Sequence, residues 1–272
     1  MVRKVHSLDT TNVEYWDTGG DKPAMLLLHG FGANAEYQWF MQLGTLKDDY
    51  RLIMPNLIGF GETRSNLEKA TVISQMDMLC HLLDHMNIEE CTIMGASYGG
   101  LIGAELARRK RLRIKQLVMM GAPVKYIYDE DRERVKAYYK IDSIPELFVP
   151  TSARGLRHLI SASNGKKNRI PVFFLNPFYA KFYGSTYERK MQLMVDLMEL
   201  REEYADYDYQ LDIPVELIWG ENDPLVLSER GILLRNHMGK DTELHLIPNG
   251  GHMANMVKPK IFNKILKDRL IK

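Results

Sequence analysis

Three residues far apart along the chain could together make a nucleophile: Ser97 in Gly95-Ala-Ser-Tyr-Gly99, Asp223 in Gly220-Glu-Asn-Asp223, and His252 in Gly250-Gly-His252. A serine hydroxyl is a poor nucleophile at neutral pH. It needs an imidazole in hydrogen-bond reach to take its proton, and the imidazole needs a carboxylate holding its ring in the right tautomer. Each of the three follows an apolar run of strand length, so a parallel sheet would gather them at the C-terminal edge of its strands. The Gly-x-Ser-x-Gly spacing suits a sharp strand-to-helix turn. Its central residue is strained, and the positions two before and two after must be small for strand and helix to pass closely. In the segment that follows, Gly100-Leu-Ile-Gly-Ala-Glu-Leu-Ala107, small residues can face a sheet, and Ser97 falls at the positive end of the helix.

Each residue also has an ordinary use. Ser97 could be a turn serine, and Asp223, before Pro224, a turn former. Glu221 is the rival acid; Asp223 is preferred because it closes the strand exit, and no carboxylate follows the preceding strand before Asp129. His245 lies inside a strand pattern and His237 on a surface helix pattern.

The loop His29-Gly-Phe-Gly32 has two readings. Gly30-Phe-Gly-Ala-Asn-Ala35 fits a dinucleotide-binding fingerprint, but that fingerprint needs an acidic residue ending the next strand, and Tyr50-Arg-Leu-Ile-Met-Pro-Asn56 ends in Asn56. The favoured reading is that the glycines free the backbone so that the N–H of Phe31 can face an oxyanion, with His29 shaping the loop.

The elements that must position these groups alternate along the chain. Val2 to Leu8 and Asn12 to Asp17 read as an antiparallel entry to a sheet. Ala24 to Gly30 is an unbroken apolar run, expected where helices cover both faces of a parallel strand. A helical face at Ile73, Met76, Cys80 and Leu83 leads into the Ser97 strand, and Ile114 to Met120 is the next strand. From Val124 to Leu211 the alternation stops and 15 of the 26 Phe, Tyr and Trp accumulate, which suggests a separate lobe. There Met191, Met194 and Met198 recur at helical spacing, and Val172-Phe-Phe-Leu-Asn-Pro-Phe-Tyr179 either lines a lipophilic pocket or anchors the lobe. Strand patterns resume at Ile213 to Trp219 and Glu243 to Pro248, with helix patterns at Ser228 to Met238 and around Ile261 to Leu266.

With 272 residues the chain can bury a sizeable core, and one domain with an inserted lobe is expected. The formal net charge of +1 gives no global electrostatic case for nucleic acid or an anionic membrane. The basic run Arg108-Arg-Lys-Arg-Leu-Arg113 is read as a solvated helix end. The first residues lack the apolar core of a signal peptide and no run reaches spanning length, so a cytoplasmic location without a stable membrane anchor is expected. Cys80 and Cys91 lack metal-ligand spacing and read as reduced packing thiols; no metal and no cofactor are expected.

Through His29-Gly-Phe-Gly32, Gly95-Ala-Ser-Tyr-Gly-Gly100, Gly220-Glu-Asn-Asp223 and Gly250-Gly-His252, in that order, the chain resembles the α/β-hydrolase superfamily over nearly its whole length. The resemblance implies an α/β fold: a mostly parallel eight-stranded sheet with helices on both faces, residues 1–123 and 212–272, and an inserted helical cap, residues 124–211. It implies that Ser97 attacks a carbonyl, His252 shuttles the proton and Asp223 orients His252. The backbone N–H groups of Phe31 and Tyr98 would hold the oxyanion, on a loop shaped by His29, Gly30 and Gly32. Many relatives carry Asp where this chain has Asn56, a departure expected to affect the loop more than the chemistry. A serine at the elbow speaks against haloalkane dehalogenases and epoxide hydrolases, which use aspartate there. Ala96 and Met253 stand where C–C bond hydrolases typically show Asn and Trp. The strand-exit motifs resemble esterase and monoacylglycerol-lipase-like members. The expected activity is therefore hydrolysis of a carboxylic ester of a fairly lipophilic small molecule through an acyl-enzyme. A C–C bond hydrolase of a vinylogous diketone, a ligand receptor on the same scaffold, and an acyltransferase or perhydrolase are the alternatives. The expected partner is a small-molecule ester, with no nucleic acid; a homodimer is left open.

Overall fold

A computed structural model of the chain describes residues 1–32, 34–126 and 128–271. Its strands are β1 (Val2–Ser7), β2 (Thr11–Asp17), β3 (Ala24–Leu28), β4 (Arg51–Pro55), β5 (Arg64–Ser65), β6 (Glu90–Ala96), β7 (Arg113–Met120), β8 (Val215–Gly220) and β9 (Thr242–Ile247). Eight of them run in the order β1-β2-β4-β3-β6-β7-β8-β9, and β5 pairs with β2 off that path. This is the expected mostly parallel sheet with one strand more than expected. The addition, β5, has two residues and is too short to leave an alternating pattern in the sequence. From β4 through β3 to β9 every pairing is parallel, whereas β2 pairs antiparallel with β1 and β4.

All five residues of β3 and all six of β8 are buried, because both faces of the sheet are covered. Successive side chains point to opposite faces. Leu26, Leu28, Ile93, Leu117 and Leu217 therefore join one core, and Met25, Leu27, Met94, Val118 and Ile218 the other. The helices Val72–His85 and Tyr98–Arg108 cover the first face; Ala35–Trp39 and Pro259–Leu270 cover the second. Burying each such aliphatic side chain is worth about 1.5–3 kcal/mol relative to leaving it exposed, so this two-sided core holds the strand ends in place.

Between β7 and β8 the described residues form the helices Asp129–Tyr139, Ile144–Phe148, Ala153–Asn164, Val172–Tyr179, Tyr187–Glu199 and Arg201–Asp206, with a π turn at Ala180–Gly184. This lobe is tied to the strand exits. Met253 N–H donates to Ser163 O at 2.8 Å, Arg189 donates to the carbonyls of Leu67 and Glu68, and Arg230 pairs with Asp131 at 2.7 and 3.0 Å. The contact is close enough that a Cβ at Gly251 would stand 2.4 Å from the backbone of Asn164.

The basic run is more engaged than a solvated helix end. Arg108 and Arg109 both pair with the buried Glu105, Arg108 lies 3.8 Å above the ring of Tyr207, and Arg111 pairs with Asp77. Cys80 and Cys91 are free and buried. No helix among the described residues is long and apolar enough to cross a membrane.

Candidate active site

Ser97 stands between β6 and the helix Tyr98–Arg108 with φ 49° and ψ −113°. This backbone conformation disfavours a side chain, so the surroundings must hold it. Its own N–H is tied to Met120 O at 2.8 Å. The flanking glycines let the chain pass: a Cβ at Gly95 would meet Gly99 O at 2.3 Å, and one at Gly99 would meet Leu28 O at 2.4 Å. The helix thus begins directly under the serine and aims its positive end at it.

Asp223 and His252, from the exits of β8 and β9, meet beside this turn. His252 Nδ1 donates to Asp223 Oδ2 at 2.8 Å, and Asp223 Oδ1 accepts from the N–H groups of Leu225 and Val226 at 2.9 and 3.0 Å. Both are buried. This bonding puts the ring proton on Nδ1 and leaves Nε2 as a lone-pair acceptor. The exit of β7 fits beneath the pair: Gly121, at φ +54°, would carry a Cβ 3.1 Å from His252 Nδ1. Among the described residues no hydrogen bond joins Ser97 Oγ to His252 Nε2; the ring is held through Nδ1 alone. Both residues line the same two cavities, and such a contact commonly tightens only when substrate binds. Glu221 lies exposed, accepting from Asn249 N–H. His245 pairs with Glu216 on β8 and β9, and His237 faces Asp208; neither lines these cavities.

The His29–Gly32 loop lies against Ser97: a Cβ at Gly30 would be 3.5 Å from Ser97 Cβ. The backbone N–H groups of Phe31 and Tyr98 have no partner among the described residues, as donors reserved for an oxyanion would. Three buried polar side chains hold the loops in place. His29 donates from Nδ1 to Gly30 O at 2.8 Å and accepts at Nε2 from Leu57 N–H at 3.0 Å. Burial lowers its pKa to about 4, against the opposing bond to Gly30 and with help from the charge of Lys190, so the ring is neutral at pH 7. Asn56 accepts from Ala35 N–H and donates to Glu14, and Gln75 clamps both backbone groups of Ile58. Asn56 is fully buried and lines neither cavity, so the departure there acts on the loop. No motif in the sequence marks Gln75, or Gln38, which accepts from Gly30 N–H.

Two cavities meet at Ser97 and His252, sharing only those residues, Phe31 and Phe148. The larger runs along Leu156, Leu159, Leu175 and Phe178. The smaller runs along Val135, Met194, Leu197 and Met198 and reaches Asp131 and Arg132. The methionine stripe therefore serves as both core and lining. The aromatic segment divides: Leu175 and Phe178 line the larger cavity while Phe173 and Phe174 face outward.

A buried cation near these loops also left no signal in the sequence. Lys190, 3% exposed, donates to Phe182 O and lies 4.8 and 4.5 Å from the ring centres of Phe60 and Tyr183. Burial without a carboxylate partner pushes its pKa down to about 7.

Residues 23–259 match the α/β hydrolase fold family, and the chain belongs to it. It is a hydrolase of that fold. It is similar to epoxide hydrolase 3 of Xenopus tropicalis, 26% identical across 94% of this chain and 74% of that protein. It is also similar to the monoacylglycerol lipase ABHD6 of Bos taurus, 22% identical across 92% of this chain and 76% of that protein. Among solved structures, the meta-cleavage product hydrolase CumD from Pseudomonas fluorescens IP01 superposes with a TM-score of 0.78 at 22% identity, covering 95% of this chain and 93% of that one.

Proposed function

We propose that the protein hydrolyses carboxylic esters whose acyl and alcohol parts are both apolar, through an acyl-enzyme on Ser97. The carrying observation is that Ser97 and His252 sit where two apolar cavities join, so a molecule bridging them would present its central bond to the hydroxyl. In this reading His252 Nε2 takes the Ser97 proton as the hydroxyl adds to the carbonyl. Asp223 stabilises the imidazolium, and the N–H groups of Phe31 and Tyr98 face the oxyanion. His252 then gives its proton to the departing alcohol. Water attacks the acyl-enzyme by the same steps in reverse.

Epoxide opening, the activity named for one relative, fits this nucleophile poorly. A carboxylate that opens an epoxide leaves an ester that water can cleave, whereas serine would leave an ether, a dead end. Among the relatives, the monoacylglycerol lipase matches the proposed bond and the lipophilic lining. Cleavage of a vinylogous diketone is the competing outcome, carried by the likeness to CumD. The test is turnover of p-nitrophenyl esters of increasing chain length and of a vinylogous diketone, with fluorophosphonate labelling, on wild type and Ser97→Ala. We expect ester turnover, lost by about a millionfold in Ser97→Ala, and labelling confined to Ser97. Turnover of the diketone alone, or labelling that survives the substitution, would overturn the proposal.

A further inference from the structure

The lobe carries a surface that the hydrolytic chemistry does not use. Between Leu147 and Tyr187 there are six Lys or Arg and no Asp or Glu, in a chain whose total charge is +1. Four of these, Lys166, Lys167, Arg169 and Lys181, are exposed and flank the helix Val172–Tyr179. That helix buries only Leu175; Phe173, Phe174 and Phe178 are 64, 58 and 44% exposed, next to Ile170 at 43%. Three phenylalanines on one short helix form an apolar patch that water disfavours, and such patches mark contact surfaces. A cationic collar around aromatic side chains is the combination that seats a helix in the headgroup layer of an anionic bilayer: the rings enter the acyl boundary and the cations meet the phosphates.

We propose that this face docks the protein reversibly on anionic phospholipid bilayers. A second copy of the chain is the weaker occupant. A two-fold contact would set the same patch against itself and bring the four cations of each copy together. Ile170 and Phe178 belong to the patch and also line the larger cavity, which ends at Ser97. The docked face is therefore the rim of that cavity, and a lipophilic molecule leaving the bilayer would meet apolar walls as far as the serine. This last consequence rests on the ester-hydrolase reading; the docking does not.

The test is co-sedimentation with vesicles of phosphatidylcholine, with and without phosphatidylglycerol, beside turnover of a soluble short-chain p-nitrophenyl ester. We expect pelleting with the anionic vesicles, weakened by salt. Lys166→Glu with Lys167→Glu should lower partitioning by roughly fivefold or more per charge. Phe173→Ser with Phe174→Ser should abolish it, while turnover of the soluble ester is unchanged because neither ring lines the cavities. No pelleting, pelleting indifferent to both double variants, or a lipid-independent dimer dissolved by the phenylalanine variant would overturn the proposal. Pelleting that behaves as expected in a protein without ester turnover would uphold the docking and remove the ester reading instead.

Discussion

Burial converts single side chains into pH-dependent supports. His29 is wholly buried with a donor at Nδ1 and an acceptor at Nε2, and a second proton would set N–H against the N–H of Leu57. The unfolded chain takes up that proton near pH 6.5, the folded chain only near pH 4. The stability this difference contributes is fully present above 6.5 and drains away as pH falls from 6.5 to about 4, on the order of 3 kcal/mol in all. Urea midpoints across that window should fall less steeply for His29→Gln than for wild type. Equal slopes would show that the ring is not held neutral. Ser97, Asp223, His252 and the His29 loop were legible in the sequence because each sits among glycines at the end of an apolar run. Lys190 was not. Following Glu188 and Arg189, it reads like any solvated helix cation, and only the packing of Phe60 and Tyr183 around it removes it from water.

Elements differed in how plainly they announced themselves. The strands buried on both faces stood out as apolar runs, and the helix Pro259–Leu270 as a periodic one through Phe262, Leu266 and Leu270. The lobe was visible mainly as the end of that alternation. Its helices are short, and one of them, Asp129–Tyr139, buries only Asp131 and Val135, so tertiary contacts define it more than any apolar stripe. The helix Tyr187–Glu199 carries the buried Lys190 against the core loop at Phe60 and beside Tyr183, where its charge also bears on His29. Its ammonium loses a proton near pH 7 when folded and near 10.5 when unfolded. The folded state therefore bears the full cost of that charge below pH 7, and stability rises between 7 and 10.5, where the unfolded chain alone retains the proton. Lys190→Met should raise the neutral-pH melting temperature, by about 2–4 °C for each kcal/mol recovered, and flatten the alkaline rise. A lowered melting temperature would mean that the bond to Phe182 O outweighs the burial of the charge.

At the scale of the whole molecule, summed quantities hid what their distribution reveals. A net charge of +1 argued against anionic partners, yet the segment from Leu147 to Tyr187 holds cations only, and the acids that balance them lie elsewhere. The fold and the meeting of three strand exits could be read from spacing. The division of the interior could not, because it depends on how lobe helices far apart in sequence lean over the sheet. Phe31 and Phe148, with ring centres 6.2 Å apart, line both cavities where these meet at the serine, and the rest of each lining is separate apart from Ser97 and His252. Added bulk on one side then need not be felt on the other. Leu159→Phe and Met198→Phe should each narrow tolerance for a different half of the substrate, checked with one ester series varied in its acid and another in its alcohol. A shift of both preferences by either change would mean a single undivided chamber. Because the two cavities share so few residues, substitutions over evolutionary time can reshape one chamber and leave what the other admits unaltered.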